Sequence, residues 1–184
     1  MRARQRILEA TLEIVRADGF DAVSISSVAQ AAGASRQTIY RNFDGADDLV
    51  LQAVGSLVSH LRDELEARTQ AVETPLDYVV ELIVSGRALA RADPLVTRLI
   101  TPSEANPFFD PSFIHGAKAI LREAYSTLVS RSPELQAGVD DVVEVSVRLA
   151  LSVILFDDPA LEDDDRLRAF LRRWIGPGLP AAWR

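Results

Sequence analysis

Ile25-Ser26-Ser27-Val28-Ala29-Gln30-Ala31-Ala32-Gly33-Ala34-Ser35-Arg36-Gln37-Thr38-Ile39-Tyr40-Arg41-Asn42-Phe43 is the stretch on which the fold turns. Val28, Ala29 and Ala32 give a first short helix, over 24–32, an apolar face of small residues that a second helix can cross closely. Gly33 permits the tight turn that two crossing helices need. Ser24 and Ser35 stand where the helices open, and a serine hydroxyl accepts an otherwise unpaired backbone N–H there. In the second helix, over 35–43, Ile39 and Phe43 are four residues apart and face inward together. That turns Arg36, Gln37, Thr38, Tyr40 and Arg41 outward.

The outward set suits a DNA groove. Arginine bonds guanine in two places, glutamine does the same to adenine, and threonine offers a hydroxyl and a methyl. Tyr40 and Arg41 suit phosphate oxygens, which fix register without reading sequence. Ser24, Ser26 and Ser35 can add N–H and hydroxyl contacts to the backbone. The candidate DNA-binding residues are therefore Ser24, Ser26, Ser35, Arg36, Gln37, Thr38, Tyr40 and Arg41.

At these positions the chain resembles the tetracycline-repressor (TetR) family, whose pattern runs small residue, Ala-Gly, small or aliphatic, then Ser-x-x-Thr-aliphatic-Tyr-x-x-Phe. Here it reads Ala31 through Phe43. The preceding Gly19-Phe20-Asp21-Ala22-Val23-Ser24 resembles the family's link between its first two helices, and the likeness spans about residues 3–55. One departure stands out. Where many members open the fourth helix with lysine, this chain has Ala46 followed by Asp47-Asp48, so a usual phosphate contact is missing.

Outward from that motif the periodicity is helical throughout, with glycine and proline as breaks. Before it, Ile7, Ala10, Leu12, Ile14 and Val15 stripe a helix over 3–17 that Gly19 closes. After it, helices are expected at 46–70, 76–92, 94–100, 111–131, 139–156 and 163–175. The fold class is all-α, about nine helices. Residues 1–45 are read as a three-helix helix-turn-helix domain, and 46–184 as a helical ligand-binding and dimerisation domain.

Composition narrows the functions. Cysteine is absent, which removes disulfides and thiolate chemistry, and only His60 and His115 are histidines. The net charge of −7 is unevenly spread: residues 1–43 carry +2, leaving −9 for the remainder. A mildly basic head on an acidic body approaches phosphate in one orientation. No nucleophile–base set, phosphate loop or dinucleotide fingerprint occurs, so no enzyme is expected, and no cofactor or metal. His60 with Glu64 reads as a solvated helix face, and Glu162 to Asp165 as capping acids at a helix start. No apolar run reaches membrane-spanning length, and the reading is a cytoplasmic bacterial protein, nucleoid-associated when DNA-bound.

The resemblance implies a transcriptional regulator, in the family's common mode a repressor that a small, mainly apolar effector releases from a near-palindromic operator on double-stranded DNA. Tyr78, Phe108, Phe109, Phe113, His115 and Tyr125 are the candidate pocket residues. By analogy the last two helices pair with those of a second copy. The candidate homodimer interface is Val142, Val145, Leu149, Val153, Phe156, Leu167, Leu171 and Trp174. The competing reading is a helical interaction or sensor protein of the same fold with weak or lost DNA binding.

Overall fold

The computed structural model describes residues 2–101, 106, 113–156 and 158–184, without the side chains of Arg2, Phe113 and Ile114. Among them nine α-helices and no strand occur: α1 (Arg2–Asp18), α2 (Ile25–Ala31), α3 (Arg36–Tyr40), α4 (Ala46–Thr69), α5 (Pro75–Ala92), α6 (Pro94–Ile100), α7 (Phe113–Arg131), α8 (Val139–Leu155) and α9 (Asp164–Ile175). The chain forms two compact units, Met1–Leu61 with Pro94–Phe109, and Arg62–Asp93 with Asp110–Arg184. The first unit thus takes α4 as far as Leu61 and includes α6, more than residues 1–45.

Two apolar clusters hold the first unit. Ile7 and Leu8 of α1, Val28 and Ala29 of α2, Ile39 and Phe43, and Leu49 and Ala53 of α4 form one. Val15, Val50, Val54 and Leu57 close with Leu95 and Leu99 of α6 into the other. Thr11 sits fully buried in α1 because its hydroxyl donates to the Ile7 carbonyl at 2.8 Å. Asn106 ends α6 with its side-chain amide, which donates to the carbonyls of Arg98 and Leu99 at 3.0 and 2.9 Å.

The second unit is built on the meeting of α5 with α8 and α9. Thr74 caps α5, its hydroxyl accepting from the Asp77 N–H at 3.1 Å, and Pro75 occupies the first turn where a missing N–H costs nothing. Tyr78, Val79, Leu82 and Ile83 of α5 bury against Val142, Val143 and Val147 of α8 and Leu167 and Leu171 of α9. Beside this core α5 and α9 carry a charge ladder. Asp77 accepts from Arg172 at 2.7 Å, and Glu81 takes Arg168 at both oxygens, at 2.8 and 3.0 Å. The third rung reverses sign, with Arg87 of α5 donating to Asp164 of α9 at 2.7 Å.

Arg87 is only 2% exposed, and its guanidinium also reaches the carbonyls of Leu161 and Glu162 at 2.5 and 3.4 Å. A buried cation is tolerable only with such partners. Its Nε alone lacks one.

The helices stand where periodicity placed them, with two differences. The helix expected over 35–43 is regular only from Arg36 to Tyr40, because Asn42 turns back and donates its side-chain amide to the Thr38 carbonyl at 2.7 Å. Residues 176–184, unassigned by the pattern, fold into short 3₁₀ turns at Gly176–Gly178 and Ala181–Trp183 and bury Trp183 completely. No helix among the described residues is long and apolar enough to cross a membrane.

The ladder predicts acid sensitivity. Hydrogen bonding from Arg168 holds the Glu81 carboxyl below its ordinary 4.5, and Arg172 does the same for Asp77 below 3.8, in each case against desolvation. Both groups titrate lower folded than unfolded. Their stabilisation is complete above those ordinary values and fades as pH falls through the depressed ones. Urea unfolding should show a lower midpoint at about pH 3 than at pH 7. Glu81→Gln should lose roughly 1 kcal/mol at pH 7 and flatten part of the acid decline.

Candidate DNA-reading face and ligand cleft

The turn between α2 and α3 is set by backbone geometry. Ser24 and Ser27 form a reciprocal cap at the start of α2: the Ser24 hydroxyl accepts from the Ser27 N–H at 3.0 Å, and the Ser24 N–H donates to the Ser27 hydroxyl at 2.9 Å. Gly33 ends α2 at φ +58°, the left-handed conformation favoured by glycine. The Gly33 N–H then reaches the Gln30 carbonyl at 3.3 Å and the Ala34 N–H the Ala29 carbonyl at 2.9 Å, so the helix end is paired. Ser35 restarts the chain, accepting from the Thr38 N–H at 3.1 Å.

In α3 the division of faces is complete. Ile39 is 0% and Phe43 2% exposed, whereas Arg36, Gln37, Tyr40 and Arg41 lie on the surface. Thr38 is half-buried, and its hydroxyl lies 2.9 Å from that of Ser35, which leaves its methyl as the freer recognition element. Ser26 and Ser35 are exposed beside them. Residues 22–43 contain no acidic side chain, so the two arginines act without a local counter-charge from the segment.

Two supports were not read from the sequence. Arg4 of α1 lies over the Phe43 ring, 5.6 Å from its centroid, and hydrogen-bonds Gln52 of α4. Asp48, bonded by Gln52 and by the Asp44 N–H at 3.0 Å, is held below the ordinary carboxylate range chiefly by those bonds. An acid four residues past Asp44, at a helix start, was the signal for that cap. Ala46 is followed by exposed Asp47, so the start of α4 offers no cation.

The second unit has a cleft of about 690 Å³ between the last turns of α4, the first turns of α5 and the end of α7. Tyr78, Leu82 and Leu128 form its floor, and Arg62, Glu66 and Glu123 stand among the polar residues at its rim. A mainly apolar cavity was expected; the lining is instead mixed.

The expected pocket residues separate. Tyr78 belongs to the cleft, its hydroxyl donating to the Ala124 carbonyl at 2.8 Å. Tyr125 lies behind it at 5.8 Å between ring centroids, fully buried, with its hydroxyl 2.7 Å from that of Ser146. Burial pushes both phenols above their ordinary value. His115 is exposed near the start of α7, eight residues from Glu123 and so about 12 Å along the helix. Phe108 and Phe109 fall outside the described residues, as does the Phe113 side chain.

The expected dimer face also divides. Val142, Leu167 and Leu171 are corrected to the unit's own core, at 0–1% exposure, where a second copy cannot reach them. Leu149 and Val153 pack partly on that core. Val145, Phe156 and Trp174 remain exposed, and Phe170, not foreseen, joins Trp174 with ring centroids 6.5 Å apart. The reason is that the apolar arc of α8 is broad: Asp140, Asp141, Glu144 and Arg148 hold one polar side, and the rest is apolar enough that periodicity alone could not choose which part meets α5.

Two short helices, a left-handed glycine between them and a polar outer face over buried anchors define a helix-turn-helix transcriptional regulator. Residues 7–53 match the family described as bacterial regulatory proteins, tetR family. The chain is 33% identical over 180 residues to the transcriptional regulator AlkX of Mycobacterium tuberculosis, a match covering 95% of this chain and 83% of that one. A match to the regulator BetI of Rhizobium meliloti, 34% identical over 86 residues, covers 46% of this chain and only 42% of BetI. In fold, the chain is similar to the TetR family repressor AlkX from Dietzia, with a TM-score of 0.62 at 24% identity, covering 98% and 97% of the two chains. The chain belongs to the TetR family.

Gly33 provides a test of the turn. A Cβ there meets nothing within 4 Å, so only the backbone conformation resists it. Gly33→Ala should cost about 1 kcal/mol in urea unfolding, and Gly33→Asn less, since asparagine tolerates this region.

Proposed function

We propose that the chain is a homodimeric repressor whose first 45 residues read DNA and whose remainder holds the effector and the partner copy. The observation that carries this is α3: an acid-free outer face of Arg36, Gln37, Tyr40 and Arg41 seated on Ile39 and Phe43. Arg36 and Gln37 read bases, Tyr40 and Arg41 hold phosphates, and Ser24, Ser26, Ser35 and Thr38 set the helix against the backbone. Two such heads about 34–36 Å apart meet successive major grooves of a near-palindrome.

The second copy covers Val145, Phe156, Phe170 and Trp174, large apolar side chains that α8, the residue after it and the outer side of α9 leave in water. The effector enters the cleft over Tyr78, with an apolar body against Leu82 and Leu128 and a polar group at the rim. The Dietzia relative in fold is a repressor implicated in biodegradation of n-alkanes, and a further neighbour in fold, from Saccharomonospora viridis, is in complex with choline. Both accord with regulation by small molecules.

Selection from a genomic DNA pool followed by mobility shift tests the reading. A palindrome should be enriched, Arg36→Ala should cost roughly 1–3 kcal/mol and relax preference at one base, and Tyr40→Phe should weaken all sequences alike. Failure to enrich any DNA returns the chain to the alternative of a sensor that has lost its operator.

A further inference from the structure

We propose that Arg4, near the start of α1, is a phosphate-binding residue that grips the backbone of double-stranded DNA beside the end of α3. This adds a contact to those assigned to α2 and α3, and it rests on the reading of the first unit as a DNA-binding head.

The helix places the arginine there. Leu8, Thr11 and Val15 follow Arg4 along one face of α1 and are 0–2% exposed. Arg4 extends that buried stripe by one turn and emerges, exposed, where the core ends. Its guanidinium comes to rest over the Phe43 ring, 5.6 Å from the centroid. Phe43 lies two residues beyond Arg41, so this charge stands where the outer face of α3 gives way to the turn into α4. The first turn of α4 carries Asp47 and Asp48 and no basic residue, so a phosphate passing this end of α3 is met by Arg41 and Arg4.

The guanidinium is held without being used up. The Gln52 Nε2 donates to both Asp48 oxygens at 2.9 Å, which turns its Oε1 toward Arg4, and Arg4 donates to that oxygen. Asp48 also accepts from the Asp44 N–H at 3.0 Å, so its charge is engaged by the turn, and Gln52 stands between it and the guanidinium. Arginine has five N–H donors in one plane; the ring contact takes none and Gln52 takes one. Among the described residues no other acceptor is bonded to them. An oriented planar fork with free donors suits two oxygens of one phosphate. Because the folded head already orders it, little further ordering is required on binding.

Salt dependence is the test, because a phosphate contact releases counterions and a purely structural brace does not. The full-length protein is titrated into a fluorescein-labelled duplex of mixed sequence, about 30 base pairs long, between about 50 and 200 mM KCl. Arg4→Gln, which can still bond Gln52 but carries no charge, should flatten the slope of log affinity against log salt by about 0.9 per bound head. The advantage of the wild type over this variant then shrinks roughly 3.5-fold per head across that range. Arg4→Lys keeps the charge and should keep the slope. Arg16→Gln, near the other end of α1, removes the same charge from the chain and should also keep it. Should Arg4→Gln not fold, Arg4→Met retains an apolar stem over Phe43 and is titrated in its place. A wild-type slope in the uncharged Arg4 variant, equal flattening by Arg4→Lys, or equal flattening by Arg16→Gln overturns this contact and leaves the DNA-reading function standing. A wild type that binds no duplex at any of these salt concentrations overturns both.

Discussion

The burial of Ile39 and Phe43 is the constraint on which the DNA-reading end depends. A five-residue helix does not persist in water, since the cost of nucleation exceeds what so few hydrogen bonds return. Here α3 exists because Ile39 within it and Phe43 just beyond it enter a cluster supplied by α1, α2 and α4. Each contributes roughly 1.5–3 kcal/mol of burial. The same insertion fixes the rotation of α3 about its axis, so the polar set points outward as a consequence of packing. Arg4 adds to this from α1, covering the Phe43 ring and tying to Gln52.

In the second unit apolar contact and charge divide the labour differently. Val, Leu and Ile pack along α5, α8 and α9 without strong directional preference, and such a face tolerates sliding. The ladder does not. Two acids and then one arginine on α5 meet two arginines and then one acid on α9. A shift of α9 by one turn would set Arg87 against Arg168, with a buried cation unpaired. The sign reversal at the third rung therefore selects register, and the partly exposed rungs contribute to that more than to stability.

The motif around Gly33 was legible because its signals are local: caps, turn glycine and anchors all lie within twenty residues. Helix limits were legible for the same reason, through proline and glycine breaks. The cleft was not, because Glu66, Tyr78 and Glu123 come from three different helices, α7 well removed from the other two in sequence, and no short pattern unites them. Nor was the face of α8, whose apolar arc beyond the polar side of Asp140, Asp141, Glu144 and Arg148 is wider than one neighbouring helix covers. The segment Gly176-Pro177-Gly178 reads as a loop, and nothing nearby signals that Trp183 will be the largest fully buried side chain. Asn42 escaped notice because its effect is to stop α3 early, and an asparagine there equally suits a surface position.

The rigidity of the reading head limits how the proposed effector can act. With Ile39 and Phe43 inaccessible and α3 too short to fray independently, control through melting of α3 would require losing the whole first cluster. Control through the placement of two heads requires much less, since a spacing displaced from one helical repeat prevents both from engaging together. Moving such an equilibrium from 1:99 to 99:1 takes about 5.5 kcal/mol of differential affinity. At roughly 25 cal/mol per Å² that corresponds to about 220 Å² of apolar surface buried in one state and not in the other. An area of that size is comparable to one large aromatic side chain. Tyr78, Leu82 and Leu128 expose little surface of their own, so most of that area would have to come from the ligand's apolar body; a purely polar ligand at the charged rim, trading water for protein partners, has none to give.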